Sequence, residues 1–152
     1  MDGVLRDIVG YFGTHDDDWG VKVDGKSIYE KITDDFSCLE KMLPMDYVPV
    51  VQDFTDSPHI ISTQIEPEAR EHTTKWLSKY FKDAQTTYVG KDSSKEKNDL
   101  LKENDRIFDD HPKFPSSSRL IIVHHGYNST KHGFRVSTPD EMAAVLEVLK
   151  IW

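Results

Sequence analysis

A chain of 152 residues, 11% aromatic and 30% charged, has the size and make-up of one folded domain and not of a disordered tail. Its 27 acidic residues against 19 basic ones leave a formal charge of −8, which argues against a surface that tracks a nucleic-acid backbone, because such binding rests on cationic neutralisation of phosphates. Cys38 is the single cysteine, no 18 apolar residues run together, and the opening residues lack a secretion signal's basic-then-apolar pattern, so the expected setting is the cytoplasm, without membrane contact.

Residues 3–12 place Val4, Leu5, Ile8, Val9 and Phe12 on one helical stripe, which predicts a surface helix ended by Gly13. A polar loop from Thr14 to Asp18 then leads to a short strand over 19–23 and a turn at Asp24-Gly25. Ser27 and Glu30 have the spacing of a capping box, in which the hydroxyl satisfies one amide and the carboxylate reaches back to another. Ile28, Ile32, Phe36, Leu39 and Leu43 follow at helical intervals until Pro44 stops the run. Residues 47–51 read as extended, and Pro49 puts them at a sheet edge.

A strand is expected over 59–65. Pro67 fits the first turn of a helix whose buried face is Trp76, Leu77, Tyr80, Phe81 and Ala84, and 86–89 forms a short strand before Gly90. Ser93 and Glu96 make a second capping box ahead of a charged helix running through Leu100, Leu101, Ile107 and Phe108. Leu120-Ile121-Ile122-Val123 is uninterrupted apolar sequence between a Ser-rich lead-in and Gly126, the pattern of a central strand covered on both faces. Residues 133–137 suggest one more short strand. Thr138 and Glu141 then box the start of a last helix that buries Met142, Val145, Leu146 and Leu149, with Trp152 continuing the stripe.

The fold class is therefore α/β: a small layered sheet, at least partly parallel, with helices packed on it. One domain spans 1–152, with a helical portion over 1–55 and an α/β core over 59–152. Two consecutive strand-helix-strand crossovers should pair the strands at 59–65, 86–89 and 119–125.

The candidate catalytic residues are His124 and His125, because open α/β sheets hold ligands beyond the carboxyl ends of their strands. Their side chains point to opposite faces if the strand continues through them, so only one can serve a given crevice. An imidazole near its ordinary pKa can act as acid or base, and Tyr127, Asn128, Lys131, His132 and Arg135 supply donors for a small anionic or carbonyl ligand. The plainer alternative has one histidine bonded to a backbone carbonyl and the other in solvent. The acidic clusters at 16–18, 34–35 and 109–110 read as solvated surface, of which Asp16, Asp17 and Asp18 are the candidate partner-binding residues. His15 beside those aspartates offers metal-type ligands, but contiguous loop residues cannot all turn inward, so neither a metal nor a cofactor is expected.

The order strand, helix, strand, helix, apolar strand, His125-Gly126 resembles the large-subunit half of caspase-like cysteine peptidases over residues 59–126. The resemblance implies that fold and a role for His125. In that family a further strand ends in the nucleophilic cysteine, and no cysteine follows Cys38 here, so a relative without peptidase activity, or part of such a domain, is implied.

These observations favour a small acidic binding, inhibitor or regulatory protein that contacts another protein through its surface, a basic protein being the partner such a charge suits. The alternatives are a His-dependent, hydrolase-like enzyme and a small-ligand-sensing module, both using the loop after the 119–125 strand.

Overall fold

The computed structural model describes residues 1–13 and 20–150. The loop bearing Asp16, Asp17 and Asp18 lies outside the described residues, as does Trp152. Helix α1 (Ile8–Tyr11) is followed by the hairpin strands β1 (Lys22–Val23) and β2 (Lys26–Ser27), then by helices α2 (Ile28–Asp34), α3 (Cys38–Lys41) and α4 (Tyr47–Phe54). Strand β3 (His59–Thr63), helix α5 (Pro67–Tyr80), strand β4 (Gln85–Val89) and helix α6 (Ser93–Leu100) come next. Strands β5 (Ile107–Asp109) and β6 (Leu120–Val123), a 3-10 turn (Gly126–Asn128), strand β7 (Arg135–Val136) and helix α7 (Pro139–Lys150) complete the order.

The structure is α/β with parallel pairing. β3 pairs with β4, and β6 is flanked by β5 and β7, each pair parallel. As its apolar run predicted, β6 is covered on both faces: Ile122 and Val123 are 0% exposed and Ile121 is 4% exposed. The pairing differs from expectation, because β6 joins β5 and β7 and not the β3–β4 pair. The reason is the strand at Ile107–Asp109, a segment whose pattern predicts the end of a helix. α6 stops at Leu100 and Leu101 turns extended (φ −76°, ψ 129°), which frees Ile107 and Phe108 to take strand geometry beside Leu120 and Ile121.

The amino-terminal portion is helical, with two local corrections. The expected helix over 28–43 breaks in two, because Asp35 turns extended and its carboxylate accepts the amide of Ser37. Such local bonds compete with helix continuation. Residues 47–51 are helical and not extended, since Pro49 falls in the first turn of α4, where an amide proton has no intrahelical acceptor. The residues of the 3–12 stripe are buried or half-buried as expected, but regular helix covers only Ile8–Tyr11, and Arg6, which is not part of that stripe, is fully buried as well.

The core has three parts. The largest gathers Trp76 and Leu77 of α5, Ile121 and Val123 of β6, and Met142 and Leu146 of α7. A second, of Ile8, Ile28, Ile32, Leu39 and Met42, holds the amino-terminal helices together. A third packs Phe114 against Leu120 and Ile122. Trp76 ties the first two, donating its indole N–H to the carbonyl of Met42 at 2.8 Å beneath the Arg6 guanidinium.

A candidate ligand-binding cleft

Three strands deliver their carboxyl ends to one place. β3 runs on through Gln64, Ile65 and Glu66, β5 through Asp110, His111 and Pro112, and β6 through His125 to the turn carrying Tyr127. With Ser93 and Lys97 of α6 and an apolar wall that includes Ile8, Ile32, Phe36, Leu39 and Ala69, Tyr127 and the residues named after β3 and β5 line a cleft of about 490 Å³. That volume suits a small organic molecule. The cleft lies beyond the carboxyl ends of β3 and β5, the side on which open α/β sheets hold ligands.

Its polar groups are tightly coupled. The Lys97 ammonium donates to Asp109 Oδ2 at 2.7 Å, and both residues are buried. The amide of His111 donates to Asp109 Oδ1 at 2.8 Å. Burial opposes ionisation of Asp109, but the Lys97 ammonium, the amino group of Met1 and the His111 amide together outweigh it and hold the carboxyl below the ordinary aspartate range. Asp110 shifts the other way: burial, reinforced by the charge on Asp109, pushes its carboxyl up. The Tyr127 hydroxyl donates to Asp110 Oδ2, and the amino group of Met1 and His125 also act on that carboxyl. Burial likewise keeps the His111 imidazole below its usual value, with its Nδ1 engaged by Ser94 Oγ at 3.1 Å. Asp2 forms an ion pair with the buried Arg6 at 2.7 Å and accepts a bond from Gln64 Nε2 at 3.1 Å.

The residues singled out in sequence go to four destinations. Tyr127 reaches the cleft. His125 is buried, donates Nε2–H to the carbonyl of Gly3 at 2.5 Å and stacks on the Tyr127 ring at a centroid distance of 5.0 Å. Gly3, with φ +75°, has no room for a β-carbon there, since the Asp110 carboxylate and the Tyr127 hydroxyl fill the space. Asn128, Lys131, Arg135 and His124 form a network that fastens the loop after β6. Asn128 Nδ2 donates to the carbonyls of Asp110 and Val123, both at 2.8 Å, and Lys131 Nζ to the carbonyl of Phe114 at 2.5 Å. Arg135 donates to Asn128 Oδ1, to the carbonyl of Lys131 and to Nδ1 of the exposed His124. His132 is exposed.

Sequence reasoning missed Lys97, Asp109, Asp110, His111 and Asp2. The pair at 109–110 is a correction, since it is 2% and 7% exposed instead of solvated surface, whereas Asp34 and Asp35 are exposed as expected. One signal pointed to it: two acidic residues directly after Ile107-Phe108 can sit at a strand's carboxyl end as readily as on a helix. Cys38 is buried among the amino-terminal helices, and burial raises its thiol pKa. Among the described residues, no three His, Cys, Asp or Glu side chains gather to hold a metal ion, and no helix is long and apolar enough to cross a membrane. Comparison with protein-family models, curated proteins and solved structures finds no match.

Proposed function

We propose that this chain is a small-ligand-binding module whose ligand occupies the cleft beyond β3, β5 and β6. The observation that carries the reading is one apolar cavity of ligand size lined by the buried carboxyl of Asp110, whose pKa is pushed up, and by Lys97, whose ammonium is paired with the buried Asp109. Displaced titrations inside a cleft are a mark of functional sites. Sensing is favoured over catalysis, because Lys97 and His125 are already committed to bonds within the protein. A peptidase role drawn from the caspase-like resemblance would need an accessible thiolate, and Cys38 is buried with its thiol pKa raised. A lone buried thiol also fits a cytoplasmic setting.

The test is a fragment screen of mixed chemistry on protein with labelled isoleucine methyl groups. Hits should move the signals of Ile8, Ile32 and Ile65 in the cleft and leave those of Ile121 and Ile122 in place. If no fragment moves the cleft signals, the reading fails.

A second reading keeps the acidic surface as the working part and takes a basic protein as partner. The formal charge of −8 favours it. A partner bound in this way should associate more slowly as salt rises, and reversing the charges of Asp16, Asp17 and Asp18 should slow association more than it speeds dissociation.

A further inference from the structure

The buried charges around the cleft are matched within the protein. Lys97 is paired with Asp109 at 2.7 Å and Arg6 with Asp2 at 2.7 Å, while the amino group of Met1 and the His125 ring act on Asp110. Glu66, the remaining carboxylate of the lining, is exposed and meets water. A charged ligand would give up its hydration on entry and find its counter-ions engaged elsewhere, which costs far more than the same transfer of a neutral polar group.

His111 offers a polar contact that the fold does not use. The amide of Lys113 donates to His111 Nδ1 at 3.2 Å, and a backbone amide can only donate, so Nδ1 carries no proton. The Ser94 hydroxyl is then the donor in its 3.1 Å contact with the same nitrogen. The ring proton therefore sits on Nε2. The imidazole is neutral, because charging it would set a second ring proton against the Lys113 amide, and burial acts in the same direction. His111 lines the same cleft as Ile8, Ile32, Phe36 and Leu39, and among the described residues its Nε2 makes no hydrogen bond.

Building on the ligand-binding reading above, we propose that the cleft takes an uncharged molecule with an apolar body and a carbonyl group, whose oxygen accepts the Nε2–H of His111 while the body packs on Ile8, Ile32, Phe36 and Leu39. A neutral imidazole fixed in this tautomer offers a proton at Nε2 and accepts none, so the matching ligand group is an acceptor. His111 is then a recognition residue, held in its tautomer from behind by Ser94 of α6 and the Lys113 amide.

The test uses three probes of similar size, 4-phenylbutan-2-one, 4-phenylbutylamine and 4-phenylbutyrate, titrated calorimetrically into the full chain at pH 7. The ketone should bind about tenfold or more tightly than either ion, since neither ion recovers the hydration it gives up. His111→Phe should weaken the ketone about two- to tenfold, the worth of one hydrogen bond. His111→Gln, whose amide nitrogen falls near the position of Nε2, should restore most of that loss. If His111→Phe fails to fold, nitrogen NMR of the unaltered protein with labelled histidine provides the measure. Nδ1 should be bare and Nε2 protonated, and the ketone should move the Nε2 signal more than the Nδ1 signal. An ion that binds as tightly as the ketone overturns the inference, as does unchanged ketone affinity in His111→Phe or a ring proton found on Nδ1. Each of these results leaves the cleft standing as a ligand site if the mixed screen moves its isoleucine signals, and a screen that moves none removes both.

Discussion

Replacing Lys97 with methionine isolates the buried Lys97–Asp109 ion pair at the cleft. The substitution keeps most of the side chain's length but removes the ammonium 2.7 Å from Asp109, leaving a carboxyl that is 2% exposed beside a second buried one. Breaking a buried pair from one side costs about 3–5 kcal/mol, because the partner's charge stays behind without compensation. With a urea slope near 2 kcal/mol/M, that corresponds to a fall of roughly 2 M in the unfolding midpoint at pH 7. A domain of ordinary stability, about 5–15 kcal/mol, keeps a measurable folded baseline through most of that range. The pH dependence sharpens the test. Asp109 ionises more readily in the folded protein than in the unfolded chain, so its contribution is present above the ordinary aspartate pKa and lost as pH falls through its depressed folded value. The deficit of Lys97→Met should therefore be largest near neutrality and shrink toward pH 4, where Asp109 in the variant takes up a proton. Adding Asp109→Asn should recover part of the loss, since the two residues form one unit. A cost below about 1 kcal/mol at pH 7, the size given by an exposed pair, would refute the reasoning.

Two further predictions concern stability. Ser27→Ala and Thr138→Ala should each cost about 0.5–2 kcal/mol in urea unfolding, since both hydroxyls accept a helix-start amide, whereas Ser93→Ala should cost less, since Asp92 stands at that cap and Ser93 is already inside the helix. Asp110→Asn should flatten the alkaline side of the stability profile: the folded pKa is raised, so the wild-type contribution is complete below the ordinary aspartate value and lost as pH rises through the folded one. The urea midpoint should then fall less for the variant than for the wild type as pH rises above the ordinary aspartate value, and an identical pH dependence of the two would refute the raised pKa.

What was legible in the sequence was whatever a local pattern controls. The apolar run at 120–123, the stripe of α5 with Trp76 fully buried, and the capping box at Ser27 all rest on spacing within a few residues. Ser93 shows where such signals end. Its helix begins on schedule, but Glu96 turns its carboxylate to the amide of Gly90 instead of back to the cap, a choice made by the strand that precedes it. Pro49 misled for a related reason, since the same residue that weakens a ladder is harmless in a helix's first turn. The cleft was least legible of all. Lys97 and Asp109 are twelve positions apart, and Asp110 meets Tyr127 across seventeen, so it takes the packing of α6 beside β5 and the pairing of β5 with β6 to bring these groups together. Charge counts along the chain pointed to the surface because composition does not record which acids fold inward.

Among the described residues, no hydrogen-bond ladder joins the β3–β4 pair to the β5–β6–β7 sheet. The two halves are held together by side chains, chiefly the cluster linking Ile60 and Trp76 on one side to Ile121 and Val123 on the other, and the cleft opens at their shared end. Each half can therefore open to solvent exchange with its own free energy, as separate cooperative units do. A molecule seated between Gln64 and Asp110 would act as a strut across that seam. Occupancy would then register far from the cleft, as slower amide exchange in β4 and β7 together, and the protein could report its ligand through stiffness alone, with little change of shape.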